Sequence, residues 1–203
     1  MCMEERLQGN PVSEGIAYAK SYIYIPGTLT KAPDFFPKGQ EEEKYREFRE
    51  SCEKADSELV TLYNGMCKED PDKAKIFSAH RELLQDEEIL DEIRETICEE
   101  NMNPDSAVSK VYTEFAELLA GVEDPLIAER AADLRDVRDR LLRILSGQET
   151  SKLSSFSEDV ILVAHDLLPS DTATMDRKHI KGILTEVGGV NSHSAILARS
   201  YGI

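Results

Sequence analysis

The chain has 203 residues, of which 40 are acidic and 24 are basic, so its formal net charge is −16. This length suits one medium domain or two small ones with a real hydrophobic core. The acidic excess argues against a nucleic-acid partner, because phosphate binding requires a basic surface, and it suits either a basic protein partner or simple solubility.

Neither the apolar residues nor the cysteines indicate a membrane, secreted or metal-binding protein. No apolar run approaches the ~20 residues of a membrane-spanning helix, and the first ten residues, MCMEERLQGN, lack the apolar region of a signal peptide. These features predict a cytoplasmic protein. The four cysteines form no CxxC pair, so we expect reduced thiols without a metal: Cys2, Cys52, Cys67 and Cys98.

The first 26 residues are rich in β-forming side chains. Within residues 15–26, the residues typical of a strand are Ile16, Tyr18, Tyr22 and Ile23. A Pro-Gly pair at 26–27 then predicts a turn.

From about Gly39 to Leu145 the sequence is dominated by Glu, Lys, Arg, Leu and Ala, which favour helix. Four short breakers interrupt this block: Asn64-Gly65, Asp70-Pro71, Asn103-Pro104 and Asp124-Pro125. Where proline is present, the preceding polar residue is suited to cap a helix whose first turn accepts the ring. A seam against another helix is predicted by apolar residues at intervals of three or four: Leu134, Val137, Leu141 and Ile144. We predict a helical hairpin bundle of four or five antiparallel helices.

The charge of this block has two interpretations. Between Lys38 and Gly147 it contains 16 basic and 29 acidic residues, and therefore most of the net charge. An ordinary solvated surface explains this excess, and so does a docking face for a basic partner. Charge alone does not decide between them.

After Gly147 the pattern changes to alternating strands and helices. Residues 148–159 are polar and predict a linker. The elements predicted after it are a buried strand at 160–164, a short helix from 169 to about 175, a strand at 182–187 and a helix at 191–200. We therefore predict an α/β domain of residues 1–26 and 148–203, with the helical bundle of residues 27–147 inserted into it. The first β segment should join the same sheet.

Residues 188–203, GGVNSHSAILARSYGI, have features suited to phosphate chemistry. Gly188 and Gly189 allow a sharp turn close to a ligand, and either Asn191 or Ser192 is suited to cap the helix. His193 then lies in the first helical turn, where amide groups and the helix dipole favour an anion. Neutral imidazole is also a nucleophile. His193 is thus a candidate phosphoryl carrier, although a lone histidine at a helix start is more often a capping or core residue.

The other three histidines have no such setting, which predicts structural or surface roles for them: His80, His165 and His179.

Residues 188–199, GGVNSHSAILAR, resemble the phosphohistidine signature GGxTSHxAIxAR of the phosphoenolpyruvate-utilising enzymes. Three further stretches are similar, in the same order, to Enzyme I of the bacterial sugar phosphotransferase system: residues 76–88 (IFSAHRELLQDEE), 129–136 (ERAADLRD) and 161–173 (ILVAHDLLPSDTA). The resemblance covers nearly the whole chain. It implies a swivelling phosphohistidine α/β domain and an inserted helical subdomain that binds the phosphocarrier protein HPr.

The resemblance also implies roles for individual residues. His193 matches the histidine that takes a phosphoryl group from phosphoenolpyruvate and passes it to a histidine of HPr. Thr172 matches a threonine whose hydroxyl hydrogen-bonds the resting histidine, and Ser192, Gly188 and Gly189 belong to the signature. The residues that match the HPr-binding region are His80, Leu83, Arg130 and Arg135, so the structural role of His80 comes into question.

The sequence departs from the family pattern in two places. Asn191 replaces the signature threonine before Ser-His, which removes a hydroxyl contact, so turnover can differ. The family's α/β domain continues beyond Ile203, and a (β/α)8 barrel follows that binds phosphoenolpyruvate and Mg²⁺ and supplies a catalytic cysteine. We therefore expect an N-terminal piece of such an enzyme: a monomer without its own cofactor or metal, which meets phosphoenolpyruvate only through the barrel.

Three functions remain open at this point. The first is the phosphoryl-carrier part of a phosphotransferase that exchanges phosphoryl groups with HPr through His193 and serves sugar uptake. The second is an HPr-binding module without catalysis. The third is a paralogue that phosphorylates another HPr-like carrier.

Overall fold

A computed structural model describes residues 8–25, 34–68, 70–147, 153–189 and 192–203, with the backbone alone at positions 125, 126, 128, 129, 170, 193, 194 and 197. The chain divides into two compact units. We call residues 1–26 with 151–203 the α/β unit and residues 27–150 the helical unit. No helix in the described ranges is both long and apolar enough to cross a membrane.

Within the described ranges the helical unit contains five helices: α1 (Glu41–Cys67), α2 (Pro71–Leu84), α3 (Glu87–Cys98), α4 (Pro104–Ala120) and α5 (Pro125–Leu145). Helix α4 packs against α5, and α1 packs against α2, α5 and α3. The largest fully buried side chains of this unit form its core: Tyr112, Phe48, Phe77, Leu59, Leu84, Ile93, Ile97, Leu134 and Leu141. Burial of each such side chain contributes about 1.5–3 kcal/mol. The predicted helical bundle is confirmed.

The predicted seam of α5 is buried at three of its four positions. Leu134, Val137 and Leu141 are at most 1% exposed, whereas Ile144 is only partly buried because it lies in the last turn of α5.

Two helix starts are fixed by aspartate caps. Asp70 Oδ1 accepts hydrogen bonds from the amides of residues 72 and 73 at 3.1 and 3.2 Å, and Pro71 occupies the first position of α2. Asp86 caps α3 in the same way, with Oδ1 accepting from the amides of residues 88 and 89 at 3.0 and 3.2 Å. The sequence pattern predicted the first cap and missed the second, because no proline marks it.

Two of the four predicted breakers do not act as the sequence predicts. Asn64-Gly65 does not interrupt a helix, since α1 runs on to Cys67. One glycine in a helix costs only about 1 kcal/mol, and the burial of neighbouring Leu59 and Met66 outweighs that cost. Asn103 occupies the N-cap position of α4, but its side chain makes no capping hydrogen bond.

The α/β unit contains β1 (Lys20–Tyr24), β2 (Val160–Ala164), α6 (Pro169–Thr174), β3 (Ile180–Thr185) and α7 (His193–Ser200). The strands form one sheet in the order β1-β2-β3, and both neighbouring pairs are parallel. The first β segment therefore joins the same sheet as the later strands, which confirms the α/β architecture. Strand β3 begins and ends two residues earlier than predicted. It begins at Ile180 because that residue pairs with Val160, and it ends at Thr185 because the Val187 amide turns back to the His165 carbonyl at 3.1 Å.

The core of the α/β unit lies on one face of the sheet. Its fully or nearly buried members are Leu153, Val160, Leu162, Ala164, Leu167, Met175 and Ile180. Phe156 packs edge-on against Tyr22, with ring centroids 4.9 Å apart. Leu153 and Phe156 therefore belong to this core, which the prediction of a polar linker missed, whereas residues 154, 155 and 157–159 are exposed. Residues 148–152 lie outside the described ranges.

Only part of the first β segment forms a strand. Ile16 and Tyr18 lie before β1 and are almost fully exposed. The reason is the length of β2, whose five residues pair with residues 20–24 and leave no partner strand for the residues before them. The turn predicted at 26–27 lies outside the described ranges.

Candidate functional site

Two helices of the α/β unit begin at the same edge of the sheet. Because β2 and β3 are parallel, their carboxyl ends lie together, and the segments that follow them lead into α6 and α7. These two helices also pack against each other. In parallel α/β sheets, ligands bind outside the carboxyl ends of the strands, so this edge is the candidate site of the unit.

The turn before α7 depends on one of the two glycines. Gly188 has φ = +105°, and a β-carbon there would lie 3.4 Å from Ser192 Oγ. A side chain at 188 would therefore be strained by the backbone angle, and its β-carbon would contact Ser192. Gly189 has no such constraint, since nothing lies within 4 Å of its β-carbon position. Its carbonyl accepts a hydrogen bond from the Ser192 amide at 3.0 Å, which closes the turn.

Ser192 is the residue that caps α7. Its Oγ accepts a hydrogen bond from the Ala195 amide at 3.3 Å, and its carbonyl accepts from the Ile196 amide at 3.0 Å. Asn191, the other predicted cap, lies outside the described ranges. His193 is the first residue of α7. Its backbone therefore lies at the positive end of the helix dipole, while the position of its ring stays a prediction.

Thr172 is fully buried in the first part of α6. Its hydroxyl donates a hydrogen bond to the Pro169 carbonyl at 3.0 Å. A hydroxyl oxygen has two acceptor lone pairs besides its one donor. Thr172 Oγ1 therefore keeps the capacity to accept a hydrogen bond from an imidazole N–H, and the predicted contact with His193 stays a prediction.

Asp171 fastens α6 to β1, which the sequence motifs did not indicate. Its Oδ2 accepts a hydrogen bond from the Leu168 amide at 3.1 Å, and its Oδ1 accepts one from the Tyr24 hydroxyl at 3.0 Å. The position of an aspartate two residues after Pro169, within the first turn of α6, was the signal that could have revealed the first of these bonds.

The two other histidines of this unit pair with carboxylates. His165 follows β2, and its Nδ1 lies 2.8 Å from Oε2 of the exposed Glu186. His179 Nδ1 lies 2.7 Å from Asp176 Oδ2. Hydrogen bonds from the Phe156 amide, the His179 side chain and nearby amides hold the pKa of Asp176 well below its usual range.

The helical unit has a shallow groove between α2 and α5, which we call the α2/α5 groove. It is lined by Ala79, Glu82, Leu83, Arg130 and Asp133. The groove thus brings together Leu83 and Arg130, two of the four residues predicted to bind a partner, although they are far apart in the sequence.

Arg135 lies away from this groove. It is exposed, but at about 100° per residue it lies about 140° around the α5 axis from Arg130. The structure therefore separates the two arginines that the sequence motif places together.

His80 lies inside the helical unit. Its side chain is 0% exposed, with Nε2 3.3 Å from Asp133 Oδ1 and Nδ1 2.9 Å from Asp136 Oδ2. The second contact is an ion pair whose angles fall outside hydrogen-bond geometry. A buried ring cannot contact a partner directly, so His80 takes part in partner binding only if it acts through a neighbour.

Burial by itself lowers the pKa of an imidazole, because it disfavours the charged form. Here the hydrogen bond to Asp133 and the contact with Asp136 outweigh burial and raise the pKa of His80 to about 9. His80 is therefore a cation at neutral pH, and it compensates the Asp136 carboxylate, which is only 1% exposed.

A second charged cluster of the helical unit joins α1 to α5. Arg140 Nη1 donates to Glu58 Oε2 at 2.7 Å, and Arg143 pairs with the same oxygen. With His80 protonated, the three cations balance the three anions: His80, Arg140 and Arg143 against Asp133, Asp136 and Glu58. No sequence motif revealed these two clusters.

Over the described ranges, His, Cys, Asp and Glu side chains do not gather in groups of three suited to hold a metal ion. Cys52, Cys67 and Cys98 are free thiols. Burial raises the pKa of the Cys52 thiol to about 12, which makes it unreactive.

Two protein-family models match the chain. Residues 8–130 match "PEP-utilising enzyme, N-terminal", and residues 156–203 match "PEP-utilising enzyme, mobile domain", where PEP is phosphoenolpyruvate. The chain belongs to the PEP-utilising enzymes. This confirms the resemblance inferred from the sequence motifs. The turn at Gly188 and the start of α7 lie in the part that matches the mobile domain.

The names of curated relatives agree with this family. The chain is 39% identical over 199 residues to the phosphoenolpyruvate-protein phosphotransferase of Priestia megaterium, covering 98% of this chain and 34% of that protein. It is 38% identical over 197 residues to the protein of the same name from Bacillus subtilis (strain 168), covering 97% and 34%. The chain thus spans about a third of the length of these relatives.

Solved structures give the same fold. A solution structure of an Enzyme I protein (nEIt) matches with a TM-score of 0.78 and 37% identity, covering 95% of this chain and 78% of that one. The N-terminal domain of "Enzyme 1 - Nitrogen" matches with a TM-score of 0.65 and 25% identity, covering 95% and 79%. Both matches support the combination of a helical bundle and an α/β unit.

Proposed function

We propose that this chain is the phosphoryl-carrier and docking part of a phosphoenolpyruvate-protein phosphotransferase, and that it exchanges a phosphoryl group between His193 and a histidine of HPr. The observation that carries the proposal is the start of α7. A glycine with positive φ and a serine cap present the first turn of this helix at the carboxyl edge of a parallel sheet, within the segment that matches the mobile domain.

The local geometry suits phosphoryl transfer, which depends on positioning and charge stabilisation. The first amides of an α-helix have no partner within the helix, and its dipole is equivalent to roughly half a positive charge at this end. Both favour the phosphoryl oxygens. A neutral nitrogen of His193 forms a P–N bond with the phosphorus while the P–N bond to the carrier's histidine breaks. The His193 ring gives up the proton on its other nitrogen, and the departing histidine of the carrier takes up one proton, so that its imidazole leaves neutral.

Docking is assigned to the helical unit. The α2/α5 groove combines the apolar Leu83 with the carboxylates of Glu82 and Asp133 and the guanidinium of Arg130. An acidic surface of this kind steers a basic carrier and orients it. Arg135 belongs to this proposal as a contact outside the groove.

The test is phosphoryl uptake from phospho-HPr labelled on its phosphoryl group. The chain should acquire an acid-labile, base-stable label, as a phosphohistidine does. His193→Ala and His193→Gln should acquire none, because neither side chain is a nucleophile, while binding of HPr and the circular dichroism spectrum stay unchanged. Label on either variant would place the phosphoryl group on another residue and refute the proposal.

The test also distinguishes the alternatives. Binding of HPr without any label would favour a docking module that does not carry phosphate. Uptake from a carrier of the nitrogen-related system but not from HPr would favour the paralogue, which the match to "Enzyme 1 - Nitrogen" supports at lower identity.

We also propose that phosphoenolpyruvate and Mg²⁺ bind in a part of the enzyme beyond the third of the relatives' length that this chain spans. Incubation of the 203 residues with phosphoenolpyruvate and Mg²⁺ alone should therefore leave them unlabelled. We also propose a cytoplasmic location, in keeping with exchange with a phosphocarrier, and a monomeric state for the 203 residues.

A further inference from the structure

The two nitrogens of the buried His80 ring face two carboxylates with different surroundings. Nε2 faces Asp133, which lines the α2/α5 groove and keeps 17% of its side chain exposed. Nδ1 faces Asp136, which is closed off from solvent inside the bundle. One nitrogen therefore points toward the groove, and the other points toward the interior.

The ring itself is held firmly in place. It is 0% exposed and packs edge-on against Phe77, with ring centroids 6.3 Å apart. Asp136 balances its charge from one side, and α2 and α5 pack together around it. A side chain fixed in this way is a rigid anchor for a carboxylate that stands partly in solvent, where an aspartate by itself samples several rotamers.

We propose that His80 is a positioning residue for docking: through Nε2 it holds the Asp133 carboxylate in the α2/α5 groove, beside Leu83 and Arg130, in the orientation that a basic group of the partner meets. The inference rests on the proposed function, since it assigns how one part of the docking surface is kept in place. It differs from a purely structural role because only one of the two nitrogens should matter for binding.

A pair of amide variants separates the two nitrogens. In His80→Gln the amide nitrogen stands about where Nε2 stands, and in His80→Asn it stands about where Nδ1 stands, so each variant keeps one of the two donors. Both variants lose the positive charge, so they are matched for that loss and differ in which carboxylate keeps a facing donor. We expect His80→Gln to bind HPr within about threefold of the unmodified chain and His80→Asn to bind about tenfold more weakly.

A double-mutant cycle links this effect to Asp133. Asp133→Asn should weaken HPr binding about tenfold in the unmodified chain, and by about twofold or less in the His80→Asn background, where the carboxylate has lost its anchor. Asp139→Asn is the matched control, because it removes the same charge from α5 about 180° around the helix axis from Arg130. This control should leave the affinity within about twofold.

A second readout requires no partner. The NMR signal of the Asp133 carboxyl carbon should shift in His80→Asn and stay close to its original position in His80→Gln. If the unmodified chain binds no HPr, the docking half of the proposed function fails, while this signal still decides whether His80 holds Asp133. Equal weakening of binding by the two amide variants, or equal shifts of the carbon signal, would overturn the positioning role.

Discussion

The helical unit and the α/β unit differ in the interactions that hold their candidate functional residues in place. In the helical unit, six charged side chains from three helices form two clusters whose opposite net charges balance, and the buried His80 belongs to one of them. In the α/β unit, the candidate site depends on the backbone: a positive φ at Gly188, a serine cap and a buried threonine at the start of two helices. The helical unit should therefore be sensitive to the loss of a charge, and the α/β unit to changes in backbone geometry.

The largest effect on stability should come from the interior of the helical unit. Asp136→Asn leaves the His80 cation with one carboxylate instead of two, and breaking a buried ion pair costs about 3–5 kcal/mol. Glu158→Gln is the matched change in the α/β unit, where the Lys20–Glu158 pair is 75% and 56% exposed and is worth at most about 1 kcal/mol. Urea denaturation measures both. Similar losses in the two units would contradict the contrast between them.

The two units should also respond to pH in opposite directions. The pKa of His80 is raised from 6.5 to about 9, so its contribution is complete below the unfolded-state pKa and is lost as pH rises through 9. That contribution is about 3 kcal/mol. Helical signal in urea, measured between pH 6.5 and 9.5, should show the loss, and His80→Gln should remove this pH dependence.

Asp176 in the α/β unit has a lowered pKa, so its contribution is complete above its ordinary pKa of about 3.8 and is lost as pH falls below that value. Unfolding of the α/β unit, followed through tyrosine signals of the sheet, should therefore become easier in acid and not between pH 6.5 and 9.5. A loss of stability of this unit at pH 9 would contradict the assignment.

A smaller effect is expected from the glycine turn of the α/β unit. Gly188→Ala forces an L-residue to φ = +105° and places its β-carbon against the Ser192 cap, which should cost about 1–3 kcal/mol. Phosphoryl uptake should slow by about tenfold, since the cap positions the first turn of α7. Gly189→Ala is the matched control and should change the rate less than twofold. Equal slowing by the two substitutions would show that phosphoryl uptake does not depend specifically on the positive φ of Gly188.

The difference between the units also explains what could be predicted from the sequence. The strand at 160–164, the Asp70 cap and the Ser192 cap follow from local patterns, in which each residue acts on neighbours within a few positions. The contact of His80 with Asp133 does not, because His80 is 53 positions from Asp133 and the block contains many other acidic residues. Which of these face α2 depends on how α5 packs, and a helical pattern alone does not fix that.

The predictions that were wrong also failed because of contacts between residues far apart in the sequence. Asn64-Gly65 is a turn signal by composition, but tertiary packing of α1 overrides it. Leu153 and Phe156 lie in a polar stretch and become part of the α/β core only because β1 and β2 are adjacent. Local signals thus predicted the strands and helix caps of the α/β unit better than the long-range contacts of the helical unit.

The smallest effect on phosphoryl uptake is expected at Thr172, whose side-chain hydroxyl bonds to the backbone of α6. Thr172→Ala removes the hydroxyl that donates to Pro169 and that is available to accept from an imidazole. One such hydrogen bond is worth about 0.5–1.5 kcal/mol, which is roughly a two- to twelvefold change in the rate of phosphoryl uptake. Thr172→Ser keeps the hydroxyl and should keep most of the rate while it loses the buried methyl group. If Thr172→Ser slows uptake as much as Thr172→Ala, packing of α6 explains the effect, and the hydroxyl has no part in orienting His193.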